Sequence, residues 1–175
     1  MTDPADILAL DVDAYRAAIP GLAGLTLDVV DGGASVNFLA DVTAAEAAAW
    51  WEARAESVAD GVTTAFVASS AGRIVGSVLL IRATQANAPH RAEIAKVLVH
   101  RDARRQGLGR ALMRAAEERA RADGRWLLIL DTVTGSPADR FYRSLGWHEA
   151  GVVPNFALEP DGRLVSTTYF WKDLR

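Results

Sequence analysis

The sequence of 175 residues contains no cysteine. That absence excludes disulfide bonds, cysteine-ligated metal sites and a thiol nucleophile. No run of about 18 consecutive apolar residues occurs either, so the sequence predicts no membrane-spanning helix. The first residues are acidic, and they lack the basic and apolar regions of a signal peptide. These absences together favour a cytoplasmic protein.

The composition is that of an ordinary soluble domain. Half of the residues are hydrophobic, 23% are charged and the formal net charge is −3. This charge argues against nucleic-acid binding by the chain as a whole. The length predicts one domain over residues 1–175, because no linker or internal repeat divides the sequence. The three histidines are scattered, so no metal site is predicted.

The most informative stretch is residues 93–112. Its first part, residues 94–99, is rich in β-branched and large apolar residues and predicts a strand. A basic turn follows, and Gly107 and Gly109 stand where a helix begins. Free backbone N–H groups at a helix start bind phosphate, and glycine lets the phosphate approach the backbone. The stretch therefore predicts a phosphate-binding loop. The alternative is a surface arginine cluster before an ordinary helix.

Two helices are predicted before the central strands. The first runs from Asp11 or Asp13 to Ile19 and is interrupted by Pro20-Gly21, after which the apolar run 22–30 could continue as helix. The second begins at the capping box Thr43-Ala-Ala-Glu46 and runs to about residue 59. It carries adjacent tryptophans, residues 50 and 51, which point about 100° apart on a helix. One of them is therefore a candidate for lining a ligand groove.

A βαβ unit is predicted in the second half of the chain. Its helix follows Gly107, ends at Gly124 and pairs Glu117 with Arg121 on its exposed face. The apolar run 126–130 predicts a buried strand parallel to residues 94–99. A close backbone approach or a bulge is expected at Gly76. Further strands are predicted at residues 7–10, 63–68, 74–81, near 152 and 167–171.

Two motifs resemble the signatures of the GNAT N-acetyltransferase family. Arg104-x-x-Gly107-x-Gly109 resembles its pyrophosphate-binding motif, and Ala138-x-x-Phe-Tyr142-x-x-Leu-Gly146-Trp147 resembles its second signature. The resemblance covers about residues 63–172. It implies an α/β fold with a mixed central sheet of six to seven strands, a βαβ core that binds acetyl-CoA, and flanking helices.

A closer similarity involves residues 89–100, 130–136 and 160–170, which are similar to the tabtoxin-resistance acetyltransferase subgroup. That subgroup includes an enzyme that acetylates a β-lactam amino-acid toxin, so the similarity implies a small amine acceptor. The sequence departs from the wider family at Gly135, where many members carry asparagine. Ser136, the predicted cap of the next helix, is the candidate to replace that contact.

The resemblance implies which residues hold acetyl-CoA. The glycine-containing turn is expected to cradle the pyrophosphate, and the strand before it to pair with the pantetheine arm as an added strand would. No metal is expected. The expected cofactor-binding residues are Leu98, Val99, Arg104, Arg105, Gln106, Gly107, Leu108, Gly109, Arg110, Ala111, Thr132 and Ser136.

Three residues are candidates for the chemistry of acetyl transfer. An alkylammonium acceptor must lose a proton, and Glu93 and Asp131 are the candidate bases at positions where the similar subgroup has its proposed bases. Both carboxylates could instead be structural. The phenol of Tyr142 can donate a proton to the leaving thiolate. A core tyrosine with a satisfied hydroxyl is the alternative interpretation.

The function predicted from the sequence is acetyl transfer from acetyl-CoA to a small amine, an amino-acid-like compound or a toxin or antibiotic, in a ternary complex. A protein or peptide N-acetyltransferase and a non-catalytic CoA-sensing domain are the alternatives. The presence of Tyr142, Glu93 and Asp131 argues against the sensor. No nucleic-acid or membrane partner is expected, and a homodimer is compatible with the sequence.

Overall fold

A mixed sheet of seven strands forms the centre of the computed structural model, which describes residues 6–175. The strands are β1 (Asp6–Leu10), β2 (Thr63–Ser70), β3 (Arg73–Arg82), β4 (Arg91–Val99), β5 (Leu127–Val133), β6 (His148–Leu158) and β7 (Leu164–Asp173). The helices are α1 (Val12–Asp31), α2 (Ala44–Glu52), α3 (Ala55–Ala59), α4 (Leu108–Ala122) and α5 (Pro137–Ser144). None of the helices in this described part is long and apolar enough to cross a membrane.

The strand order is β1-β2-β3-β4-β5-β7-β6. Strands β4 and β5 pair in parallel, whereas the other neighbours pair antiparallel. This arrangement confirms the predicted mixed α/β sheet and its βαβ unit, which is β4-α4-β5. A parallel pair of this kind needs a crossover connection, and α4 supplies it.

Each face of the sheet has its own hydrophobic core. Alternate residues of β2 separate the two cores, because successive strand residues point to opposite faces. Phe66 and Ala68 pack with α4 and α5 on one face, whereas Ala65 and Val67 pack with α1, α2 and α3 on the other. We call these the α4 face and the α1 face. Core packing therefore determines which face of the sheet each strand residue points to.

Helix α4 packs very closely on β3, as the glycine inside that strand predicts. A Cβ atom on Gly76 would lie 2.9 Å from Leu112 Cδ1. The register between β2 and β3 also shifts next to this glycine. Both features predicted for Gly76, a bulge and a close approach, are therefore present.

Helix α1 does not stop at Pro20, so the predicted interruption is wrong. The helix begins with Asp11, whose Oδ1 accepts a hydrogen bond from Ala14 N (2.8 Å), and continues through Pro20 to Asp31. Proline removes one backbone donor from a helix. Here that loss falls on the exposed side, while Leu22 on the buried side packs against the sheet. Tertiary packing outweighs the local penalty.

The predicted helix over residues 43–59 is two helices. The capping box at Thr43 is present, but α2 ends at Glu52 and α3 starts at Ala55. Trp51 is fully buried and its Nε1 donates to Thr26 Oγ1 (3.0 Å), whereas Trp50 is half-buried. Burial of Trp51 anchors α2 to the core of the α1 face, and α3 follows after a break of two residues. Both tryptophans nevertheless pack in the core of the α1 face, with ring centroids 5.0 Å apart, so they share one core and differ in how deeply they are buried.

The predicted pair of Glu117 with Arg121 on α4 is wrong. Glu117 is buried, and both of its carboxylate oxygens accept from Lys172 Nζ on β7 at 2.8 and 3.0 Å. Arg121 instead donates from Nε to Leu174 O (3.2 Å). The helical spacing places Glu117 next to the buried stripe, and a buried carboxylate needs a cation close by. A lysine distant in sequence provides it.

Candidate active site

The candidate site lies where β4 and β5 separate. Their parallel pairing is limited to residues 91–93 of β4 and 127–129 of β5. Further along β4, Lys96 has a positive φ of 50°, and the register with β3 shifts beside it. Such a bulge bends the strand. A gap therefore opens between residues 94–99 and 130–133, with unpaired backbone on both sides.

Val99 directs its backbone into this gap. His100 N donates to Val75 O (2.9 Å), and Ser77 pairs with Leu98 in the same antiparallel register. Hydrogen-bonded pairs alternate along an antiparallel ladder. Leu98 therefore bonds to β3 and buries its side chain in the core of the α1 face, whereas the N–H and C=O of Val99 face away from β3.

The start of helix α4 lies at one end of the gap. Gly107 precedes the helix with φ 81°, a conformation that favours glycine, and no side chain caps the helix. The first intrahelical bond runs from Ala111 N to Gly107 O (3.1 Å), which leaves the N–H groups of residues 108–110 free of helical partners. Leu108 is buried and Ala111 half-buried, so both anchor this turn. A Cβ on Gly109 would lie 3.3 Å from Phe141 Cζ, which ties the turn to α5.

The arginines of the basic turn have different partners. Arg101 bonds to Asp28 Oδ1 and to Asp31 Oδ2, both at 2.5 Å, and so attaches the turn to the end of α1. Arg104 donates from Nε to the gap-facing Val99 O (3.2 Å). The acids next to Arg101 make it a structural residue rather than a phosphate ligand.

Arg105 and Arg110 are exposed and form no ion pair with the described residues 6–175. Gln106 donates from Nε2 to Asp102 O (3.1 Å), which shapes the turn. A free guanidinium beside unbonded helix N–H groups is well suited to an anionic group. The turn thus combines two kinds of donors for a phosphate.

The other end of the gap is formed by the residues that follow β5. Thr132 is half-buried, and its O accepts from Thr167 Oγ1 (2.8 Å). Ser136 caps α5 as predicted, because its Oγ accepts from Asp139 N (3.1 Å). Asp139 in turn accepts from Gly135 N (2.9 Å) and holds the loop. The hydroxyl proton of Ser136 is still available for donation.

Tyr142 approaches the gap from the α4 face. Its ring lies among Phe141, Trp147 and Phe170, with ring centroids 5.4, 6.2 and 6.3 Å away. Its hydroxyl has no hydrogen-bond partner among the described residues. Burial raises the pKa of the phenol well above its ordinary value, and the negative charge of Asp131 raises it further. The hydroxyl therefore stays protonated near neutral pH and can donate.

Glu93 and Asp131 project from the opposite, α1 face. Glu93 is in register with Ile129, and Asp131 follows two positions later on the same side of β5. Glu93 lines a cleft of about 290 Å³ together with Ile81 and Ile129. Burial of the carboxyl raises the pKa of Glu93, and the charge of Asp131 raises it further. Asp131 Oδ2 accepts a hydrogen bond from Thr167 Oγ1 (3.0 Å).

The comparison with protein families decides the identity of the chain. The model of the Acetyltransferase (GNAT) family matches residues 36–147, which is more than half of the sequence. The chain belongs to the GNAT acetyltransferase family. It is therefore an acyltransferase.

Solved GNAT structures share the whole fold. An N-acetyltransferase from Staphylococcus aureus Mu50 has a TM-score of 0.78 and 16% identity, over 98% of this chain and 99% of that one. The Salmonella typhimurium protein yncA, an assigned acetyltransferase solved with its cofactor acetyl-CoA, has a TM-score of 0.75 and 21% identity over 98% and 94%. A ribosomal-protein-alanine N-acetyltransferase from Brucella melitensis has a TM-score of 0.73 and 26% identity over 97% and 99%.

The candidate site also contains a residue that the sequence-based predictions missed. Lys96 stands in the bulge of β4, and its Nζ donates to Val36 O (2.8 Å) in the loop between α1 and α2. That loop also reaches the β6–β7 turn, where Ala40 N donates to Pro160 O (3.2 Å). It therefore extends from β4 to the β6–β7 turn. A lysine inside an otherwise apolar strand was the available signal for this position.

Proposed function

We propose that the protein transfers an acetyl group from acetyl-CoA directly to the amine of a small, amino-acid-like acceptor in a ternary complex. The observation that carries this proposal is the gap between β4 and β5. It has free helix N–H groups at one end, a protonated tyrosine on one face and two carboxylates on the other. These are the groups that acetyl transfer to an amine needs.

Acetyl-CoA would bind with its pyrophosphate at residues 104–111 and its pantetheine arm in the gap. The free N–H groups of the α4 start and the guanidinium groups of Arg105 and Arg110 would hold the phosphates. The gap-facing N–H and C=O of Val99 would pair with the amide groups of the arm, as an added strand would. Leu98 would support that strand through its core packing. Thr132 and Ser136 would line the far side.

The chemistry would proceed from both faces of the sheet. Glu93 or Asp131, directly or through water, would take the proton from the acceptor ammonium on the α1 face. The free amine would then attack the thioester carbon, and a backbone N–H of β4 would stabilise the oxyanion. When the C–S bond breaks, the thiolate would take its proton from Tyr142 on the α4 face, and the second proton of the amine would leave through water and restore the phenol. The amine and thiol protons would thus be handled by separate groups.

The phosphate site is tested by Gly107→Glu. We expect this variant to bind acetyl-CoA at least about tenfold more weakly, because it places a carboxylate where the pyrophosphate should lie. Gly124→Glu is the matched control, since Gly124 lies just beyond the other end of α4 with a similar φ of 71° and open space around it. Isothermal titration calorimetry with acetyl-CoA gives the affinity of both. Equal affinity in the two folded variants would refute the assignment.

A protein acceptor is the second candidate, because the Brucella relative is named for acetylating a ribosomal protein. Thiol release from acetyl-CoA, measured with amino acids and small amines and separately with N-terminal peptides, discriminates between the two. Faster turnover of every peptide than of every small amine would favour the protein acceptor. Similar motifs in the tabtoxin-resistance subgroup support the small acceptor. We also propose that the protein is cytoplasmic and has a single domain; a homodimer is compatible with the sequence.

A further inference from the structure

The geometry points to an anion subsite beside the proposed acceptor site: Lys96 and Arg54 bind a carboxylate carried by the same molecule whose amine faces Glu93 and Asp131. The acceptor would thus be a zwitterion with both charges recognised. This inference rests on the proposed function, because it names two residues that would select the acceptor.

Lys96 is a partly buried cation without an acidic partner. Its Nζ donates to Val36 O and lies 4.4 Å from the centre of the Trp50 ring. No carboxylate in the described part of the chain lies within ion-pair distance of it. The ammonium therefore has donors to spare, since three hydrogens are available and one carbonyl is a defined acceptor.

The comparison with Lys172 shows what is missing at Lys96. Lys96 and Lys172 are the lysines of this sequence, and neither is exposed. Lys172 has both oxygens of Glu117 and the carbonyl of Leu145 as acceptors. Lys96 has one carbonyl and an aromatic face. A charge taken out of water is stable when an opposite charge accompanies it, so an external anion would complete the surroundings of Lys96.

Arg54 provides a second cation at the same place. It stands at the break between α2 and α3, and its guanidinium carbon lies 3.1 Å from the centre of the Trp50 ring. Its NH1 donates to Trp50 O (2.6 Å), and it too forms no ion pair with a described residue. Trp50 therefore has two cations against its ring. Two cations held close together repel one another. An anion between or beside them would offset that repulsion.

The carboxylates complement this cationic pair. Glu93 forms no salt bridge with any described residue and Asp131 accepts from a threonine, so neither is neutralised within the chain. Burial and the positive charge of Arg54 lower the pKa of Lys96 to about 8. The negative charges of Asp131 and Glu93 act in the opposite direction and offset part of this effect. The α1 face thus has negative groups on β4 and β5 and positive groups at the bulge of β4 and at the break between α2 and α3. A zwitterion matches that distribution of charge.

The first test compares matched acceptors. Amino acids of increasing separation between amine and carboxylate are each paired with their carboxamide, and kcat/KM is measured by thiol release from acetyl-CoA. We expect the wild type to favour the acids by about tenfold or more, as charge-assisted contacts would give. The amine of a carboxamide is less basic than that of the matching acid, so a larger fraction of it is the reactive free amine at neutral pH. If only the amount of free amine mattered, the enzyme would therefore favour the carboxamides.

Variants assign that preference to the two cations. Lys96→Met and Arg54→Met should raise KM for the acids about tenfold or more and raise KM for the carboxamides far less, so that the preference for the acids disappears. Arg114→Met is the matched control, because Arg114 is an exposed cation on α4 whose partner is Glu118. A wild type that accepts acids and carboxamides equally would overturn the inference. A preference that survives in both variants would do the same.

A second test does not depend on turnover. The Cε signals of ¹³C-labelled lysine report on Lys96 and Lys172 alone, and Lys96→Met assigns them. Acetate and N-acetylglycine, compared with chloride at equal ionic strength, should raise the pKa read from the Lys96 signal and leave the Lys172 signal unchanged. If neither carboxylate moves the Lys96 titration, the subsite is wrong. If they move it while no small amine is acetylated, the subsite stands and the proposed acceptor fails.

Discussion

Tyr142→Phe is expected to lower kcat about 10²-fold or more, with a much smaller change in KM. The reason is that the hydroxyl donates its proton only when the C–S bond breaks. It therefore stabilises the transition state and contributes little to binding of the substrates. The phenol is suited to this role because burial keeps it protonated and no described residue accepts its proton. Steady-state and single-turnover rates with acetyl-CoA and an acceptor give the measurement.

The stability of this variant distinguishes catalysis from packing. Removing a hydroxyl that bonds to no described residue should leave the free energy of unfolding nearly unchanged. Tyr15→Phe is the matched control, since the Tyr15 hydroxyl donates to Trp51 O (2.8 Å) in the core of the α1 face. That variant should lose about 1 kcal/mol of stability and keep its kcat. Near wild-type turnover of Tyr142→Phe, with chemistry shown to limit the rate, would make Tyr142 structural.

The sequence predicts the α4 face of this protein well, because local patterns determine it. The strand, the Gly107 turn and the amphipathic α4 follow one another directly over residues 91–122, as do β5 and the Ser136 cap of α5 over residues 127–144. The backbone conformation at these positions is determined by residues that are close in sequence. The GNAT motifs lie in the same part of the chain, so they too can be recognised from the sequence. The family and the sheet were therefore accessible from the sequence.

The α1 face was harder to predict because distant residues meet there. Lys96 contacts Val36, 60 positions earlier, and the continuation of α1 through Pro20 depends on burial against the sheet. The α4 face has one such contact as well, since the partner of Glu117 is Lys172, 55 positions later, rather than the neighbour one helical turn away. Local propensity contains no information on such contacts. The acceptor side of the site is for that reason the part that needed the structure.

The largest combined effect is expected for the two carboxylates. Glu93 and Asp131 share the α1 face, so each can partly replace the other as the base. Glu93→Gln and Asp131→Asn should each lower kcat/KM at neutral pH, and the double variant should lose about 10²–10⁴-fold. Glu118→Gln, a change at an exposed carboxylate of α4, is the control that should leave kcat/KM unchanged.

The pH dependence identifies which carboxylate is the base. Burial and the charge of Asp131 raise the pKa of Glu93, so its basic form is lost nearer to neutral pH than for an ordinary glutamate. Wild-type kcat/KM should therefore fall as pH decreases through that raised pKa. In Glu93→Gln this limb should disappear, and the deficit should shrink as pH rises, because more acceptor is then a free amine without help from the enzyme. Profiles of identical shape in the wild type and both single variants would show that neither carboxylate takes the proton.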